Sequence, residues 1–144
     1  MLFGGKKKRR IERLLIVEDE PLVAFDNEHF LSGGGFEIIG TVDTVADAMR
    51  VLGEEEEIDL VLVDVALTDG SGIDVAQAAH GRGIPVLFVT GNCPGEAKAL
   101  AVGCLSKPYP QRDLLAAIAA VEAVIEGKTP KKLPGGLSLF AEAA

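Results

Sequence analysis

Three stretches of this chain are apolar almost without interruption rather than at every second position: LLIV at 14–17, IDLVLVDVAL at 58–67 and IPVLFVTG at 84–91. A strand with one wet face alternates, whereas a strand that is apolar throughout is covered on both faces. FEIIGTV at 36–42 and CLSKPY at 104–109 add two shorter strand-like runs. Helical patterns separate them: residues 21–31, VADAMRVL at 45–52 with Thr44 as its cap, IDVAQAAH at 73–80, a stubby EAKALA at 96–101, and RDLLAAIAAVEAVIE at 112–126. Leu22, Phe25, His29 and Phe30 fall near one face of the first helix. Five strands, each followed by a helix, predict an α/β fold: a doubly wound parallel sheet with helices on both faces and a short or disordered fourth helix.

The chain of 144 residues is enough for one domain with a proper core. The reading is a basic flexible tail over 1–10, a folded domain over 11–126 and a flexible tail over 127–144, where the sequence turns to Lys, Pro and Gly, with no effector domain following. No apolar run approaches a membrane span and no signal-peptide pattern opens the chain, so the expected location is cytoplasmic. A formal net charge of −8 argues against nucleic-acid binding by the folded body. The island KKKRR at 6–10 reads as a solvated tail, with anion or partner binding as the alternative. Cys93 and Cys104, without a close pair, read as ordinary reduced thiols rather than a disulfide framework or a zinc site.

Parallel sheets bind ligands beyond the carboxyl ends of their strands. Glu18 and Asp19 end the first strand, Asp64 the third, Thr90 the fourth and Lys107 the fifth, so these polar residues should converge on one sheet edge. A lone carboxylate such as Asp64 can cap a nearby turn. Three carboxylates at adjacent strand ends cannot all stay ionised without a cation, and hard oxygen ligands with room for water suit Mg²⁺. Lys107 and Thr90 supply an ammonium and a hydroxyl for phosphoryl oxygens. A nucleophilic carboxylate, a divalent metal and a cationic clamp are the parts needed to accept a phosphoryl group by in-line transfer.

Over 11–126 the chain resembles the receiver domain of bacterial two-component response regulators. The motifs that carry the resemblance are VED at 17–19, LVDVAL around Asp64, DGSG at 69–72, FVTG around Thr90 and SKP around Lys107. The resemblance implies a flavodoxin-like five-stranded sheet of order 2-1-3-4-5. It makes Asp64 the phosphoacceptor, Asp19 a direct Mg²⁺ ligand, Glu18 a ligand through water and the Ala66 carbonyl a further ligand. Thr90 and Lys107 would grip the phosphoryl group, and a cis bond before Pro108 would aim the lysine. Implied partners are a sensor histidine kinase or histidine phosphotransferase and a downstream protein target, with a homodimer formed through the face of helix four, strand five and helix five. Cys104 stands where such domains commonly carry an aromatic switch residue, and the interval from Thr90 to Lys107 is short. With LFVTGN, these traits resemble an alphaproteobacterial subgroup known from a FATGUY motif, and they point to 91–103 as the moving part.

Other chemistries fit less well. EGKT at 126–129 ends a helix and has Glu122 in place of the earlier P-loop glycine, so no nucleotide site is read there. A haloacid-dehalogenase-like phosphatase needs a second acid where this chain has Ala66. His29 and His80 lie on helices and suggest neither catalysis nor metal ligation. The expectation is therefore a single-domain response regulator, not an enzyme acting on an external substrate, which signals by phosphorylation-dependent protein contact. The alternative is a phosphate sink or shuttle in a phosphorelay.

Overall fold

The computed structural model describes residues 10–140, so residues 6–9 of the basic island lie outside the described residues. The elements run β1 (Arg13–Val17), α1 (Pro21–Gly33), β2 (Glu37–Val42), α2 (Val45–Glu54), β3 (Leu60–Val63), α3 (Gly72–Gly81), β4 (Val86–Thr90), α4 (Ala97–Leu100), β5 (Gly103–Ser106), α5 (Gln111–Ile125) and β6 (Leu137–Leu139). A two-residue ladder pairs Ala66 and Leu67 with Ser71 and Gly70 between β3 and α3. The main sheet has the order β2-β1-β3-β4-β5-β6, parallel throughout except for the antiparallel β5–β6 pair. The expected 2-1-3-4-5 order is present, and α4 is short as expected. Among the described residues no helix is long and apolar enough to cross a membrane.

The unbroken apolar texture of the strands follows from this layering. Successive strand residues point to opposite faces. Leu14, Ile16, Leu60, Leu62, Leu87 and Val89 pack with Leu31 of α1 and with Leu114, Ile118 and Val121 of α5. Leu15, Val17, Val61, Val63, Val86 and Phe88 pack against α2, α3 and Ala97 of α4 on the other side. Both faces are dry, so neither set can be polar.

Helix ends are held by side chains near the site. Thr44 Oγ1 accepts from the Asp47 amide at 3.0 Å, the cap expected of it. The Asp69 carboxylate adds two bonds to the same helix end, from the Val45 amide at 2.6 Å and the Ala46 amide at 3.1 Å. The Val45 bond in particular holds the Asp69 carboxyl below its ordinary range. Ser71 caps α3 by accepting from the Ile73 amide at 3.0 Å.

Four expectations are corrected. Of the α1 face read from the sequence, Leu22, Phe25 and His29 point to solvent, Leu22 78% and Phe25 58% exposed, and Phe30 alone is half-buried against the core. Ala24, Asn27 and Leu31 are buried instead, because the first of these is small enough to let the helix lie close to the sheet. The third strand stops at Val63 rather than Leu67; the Asp64 amide still bonds Val17 O at 2.9 Å, and the chain then turns away. Cys93 and Cys104 are joined in a disulfide, since the connection after β4 folds back over β5.

The fourth correction concerns the C-terminal segment, which is not a tail along its whole length. The sheet has a sixth strand, β6, on the edge of β5. Leu137 packs with the α1/α5 core and Phe140 against the opposite one, so the segment clasps both faces of the sheet edge. A Cβ on Gly103 would lie 2.7 Å from Ser138 O, so β6 can approach only because Gly103 has no side chain. Gly103→Val should detach β6. Amides of 137–140 are then expected to exchange at least about tenfold faster, while those of β1 and β3 stay protected. Unchanged protection at Leu139 would show that β6 does not depend on this approach.

Candidate functional site

The strand order brings the polar residues to one edge. β1 and β3 are neighbours, so Glu18 and Asp19, which follow β1, meet Asp64, which follows β3. One oxygen from each of the three carboxylates lies within 4.8 Å of the others. Glu18 and Asp64 are buried, 3% and 6% exposed, and Asp19 is half-buried. Lys107 follows β5, two strands away from β3, and its length lets it reach across β4. Its ammonium donates to Asp64 Oδ2 at 2.9 Å and also contacts Glu18 Oε1 at 2.9 Å and Glu20 Oε1 at 3.0 Å. The Lys107 amide donates to Thr90 O at 2.9 Å, and the Lys107–Pro108 bond is cis, as the motif implied.

The electrostatics follow from burial and crowding. Burial pushes Glu18 up to about 7, against hydrogen bonds from Lys107 and the Glu20 amide that pull it down, and the nearby Asp64 charge raises it further. Burial alone would lower Lys107, but hydrogen bonds to Asp64, Glu18 and Glu20 outweigh it and hold the ammonium above its ordinary lysine value. Four carboxylates (Glu18, Asp19, Glu20 and Asp64) thus crowd one ammonium, which contacts three of them, and the surplus charge is negative.

Beside this cluster opens a cleft of about 720 Å³ lined by Asp64, Ala66, Thr90, Lys107, Asn27 and Tyr109, among others. Asp64 Oδ1 accepts from the Ala66 amide at 3.3 Å, which turns its carboxylate toward the loop after β3. The Thr90 side chain is buried at the end of β4 and its residue borders the cleft. A buried carboxylate, a threonine and an ammonium therefore border one opening, with the Glu18 and Asp19 carboxylates gathered beside Asp64. Such a set can receive a phosphoryl group on Asp64 and neutralise its oxygens.

All six residues singled out in the sequence lie at this edge. Four other contributors were not assigned a role there. Glu20, the exposed end of the acidic run, is the third acid on Lys107. Gly72, read only as part of a turn, packs so closely that a Cβ would sit 2.0 Å from Asp64 O, and its amide donates to Val65 O at 2.7 Å. The DGSG spacing was the available signal for it. Asn27 donates to Tyr109 Oη at 2.9 Å on the cleft wall, and burial raises the Tyr109 hydroxyl above its ordinary value. Nothing in the local sequence marks Asn27, because a polar residue on a helix is usually solvated.

The family model of the response regulator receiver domain matches residues 14–119. The chain is 39% identical over 79 residues to the phyllosphere-induced regulator PhyR of Methylorubrum extorquens, covering 54% of this chain and 30% of that protein. It is 34% identical over 112 residues to the transcriptional regulatory protein PdtaR of Mycobacterium tuberculosis, covering 74% of this chain and 54% of that protein. The chain thus spans 30% of the first of these curated relatives and 54% of the second. In structure it is similar to a CheY-like response regulator receiver domain protein from Methanospirillum hungatei JF-1, with a TM-score of 0.71 and 27% identity, covering 81% of this chain and 98% of that one.

Proposed function

The chain belongs to the response regulator receiver domain family, and from that premise we propose that Asp64 accepts a phosphoryl group from a histidine kinase or histidine phosphotransferase and that the phosphorylated form signals by altered protein contact. One observation carries the reading: the Lys107 ammonium lies 2.9 Å from the buried Asp64 carboxylate, at the edge where Glu18 and Asp19 also converge. Lys107 and Thr90 border the cleft where a phosphoryl group on Asp64 would project. Lys107 offers charge and Thr90 a hydroxyl to oxygens arriving there.

The donor set fits a hard divalent cation. Three carboxylate oxygens gather within 4.8 Å and the local charge is negative even with Lys107 in place. Mg²⁺ suits such a set because it takes a few carboxylate oxygens and keeps several waters. Glu18, Asp19, Asp64 and the Ala66 carbonyl would hold it. When bound, the ion neutralises carboxylate and phosphoryl oxygens that would otherwise repel each other. The chain's own residues do the rest: Asp64 supplies the nucleophilic oxygen, Lys107 the fixed positive charge, and Thr90 a donor at the cleft wall.

The exposed side of α1 supports a protein donor. Leu22 and Phe25 present apolar surface on the helix whose other residues, Val23, Asp26 and Asn27, line the cleft. Phe25→Ala is expected to slow transfer from a phosphohistidine protein by about tenfold, the loss typical of truncating one anchor residue. Labelling by acetyl phosphate should be unaffected. Equal slowing with both donors would place Phe25 in the fold or the site rather than at the docking surface. A homodimer through α4, β5 and α5 would have to use side chains of α4 and α5, because β6 already pairs with the outer edge of β5.

The deciding experiment is intact-mass and peptide-mapping analysis after incubation with acetyl phosphate and Mg²⁺. One phosphoryl group should be gained, mapped to the peptide holding Asp64 and lost when the metal is chelated. Labelling at another residue, or none at all, would overturn the assignment. The cytoplasm is the proposed location, in keeping with the proposed kinase or phosphotransferase partner.

A further inference from the structure

We infer that the Cys93–Cys104 bond is a thiol–disulfide exchange site, with dithiols as its reductants and their disulfides as its oxidants, and that its state sets the freedom of the segment following Thr90. The two cysteines differ in exposure. Cys104 is the second residue of β5 and fully buried, while Cys93 lies in the connection between β4 and α4 and is exposed. The bond links them across a sequence separation of 11, with Cα atoms 6.3 Å apart. Exchange requires attack on a reachable sulfur, and Cys93 presents one. In a reducing compartment a pair of this kind cycles rather than acting as a permanent staple.

Little else ties the segment across to β5. Gly91, Asn92, Cys93, Gly95 and Glu96 are exposed, and a Cβ at Gly91 or Gly95 would meet nothing within 4 Å. The backbone hydrogen bonds of Pro94 and Glu96 are local, from the Ala97 and Ala99 amides. Apart from the disulfide, the polar tie to β5 is a 4.0 Å contact between Cys93 Sγ and Ser106 Oγ. α4 is only four residues long, though its first residue Ala97 and the following Ala101 are buried and stay anchored without the bond. Breaking the disulfide therefore releases 91–96 selectively, and Thr90 is the residue next to it on the cleft. The consequence for phosphorylation rests on the reading of Asp64 as the phosphoacceptor.

The chemistry balances with a dithiol alone. One thiolate of the dithiol attacks Cys93 Sγ, the bond between the two protein sulfurs breaks, and its electron pair leaves on Cys104 Sγ, which takes a proton. The second thiolate of the dithiol then attacks its partner sulfur in the mixed disulfide, and Cys93 Sγ leaves and takes the other proton. The protein gains two electrons and two protons, and the dithiol becomes a cyclic disulfide. The reverse sequence restores the bond.

The test uses the full chain with dithiothreitol and its oxidised form as probes. Thiol titration after denaturant quenching should count none before reduction of the folded protein and two after it, with Cys93 alone reacting readily while the protein stays folded. Amides of 91–96 should exchange at least about tenfold faster in the reduced form, with β1 and β3 unchanged. Cys93→Ser alters only an exposed position and should behave as the reduced protein with or without the reagent. A disulfide that resists dithiothreitol in the folded state, or exchange rates equal in both forms, would overturn the inference. Labelling by acetyl phosphate should be faster in the reduced form by about threefold or more, in line with typical couplings between neighbouring elements. Equal labelling would sever the link between the bond and Thr90. No labelling in either form would refute the phosphoacceptor reading while leaving the exchange result standing.

Discussion

Asp64→Asn should take up no phosphoryl group from acetyl phosphate or from a phosphohistidine donor, and it should fold normally. The asparagine matches the carboxylate in shape, and its single amide oxygen can keep one of the two bonds that Asp64 accepts on separate oxygens, from Lys107 at 2.9 Å and from the Ala66 amide at 3.3 Å. It lacks the anionic nucleophile, so transfer stops. The substitution also removes one of four crowded negative charges, and the repulsion that helps raise Glu18 falls with it. Without metal, the variant should melt no lower than the unsubstituted protein. In that protein, Mg²⁺ well above its dissociation constant should add about 1–3 kcal/mol, a shift of several degrees. Asp64→Asn should lose most of that gain. Calorimetry with and without the ion checks both statements, and a full Mg²⁺ gain in the variant would remove Asp64 from the metal set.

Gly72→Val should be the most damaging single change near the site. A Cβ there would sit 2.0 Å from Asp64 O and 2.9 Å from Val63 Cγ2, contacts that no rotamer relieves. The first atom is backbone, on the residue that carries the proposed chemistry, so the strand end itself must shift. Overpacking of this kind costs typically 1–3 kcal/mol and sometimes more. We expect a loss of about 3 kcal/mol or more, roughly ten degrees in melting temperature. Phosphoryl uptake should fall even at temperatures where the variant remains folded, because the Asp64 backbone is displaced. Thermal unfolding and labelling of the same preparation separate the two effects. A variant that melts normally would show that α3 can move aside.

The candidate site was largely legible because its charged residues each break a local rule, while Ala66 was reached only through the family resemblance. An acid triplet after an apolar run, a carboxylate inside LVDVAL and a lysine before proline are costly unless a shared purpose pays for them. Those signals are local and survive without coordinates. Gly72 and Asp69 were visible as turn residues and as part of the DGSG motif, but their contacts with the Asp64 backbone and with the start of α2 are set only in the fold. Asn27 gave no signal, since a helix residue declares its buried face only through its neighbours in space, and Tyr109, in the connection after β5, meets it only in the fold. The reading of α1 went wrong for the same reason. Its larger apolar residues suggested a core stripe, but the sheet accepts the smaller Ala24 and leaves Phe25 outside.

By itself the sequence determined the layered α/β class, the order of elements, the shortness of α4 and the edge where the polar residues meet. These depend on periodicity and on the side-chain alternation of buried strands, which are properties of consecutive residues. Tertiary structure decided the rest. It joined Cys93 to Cys104, because only the fold of the connection over β5 sets their separation. It made 137–139 a sixth strand, because a three-residue segment gains order only by finding an open sheet edge and a glycine to admit it. It also gave Lys107 its three acid partners, since a side chain's length is written in the sequence but the distance it must span across β4 is not.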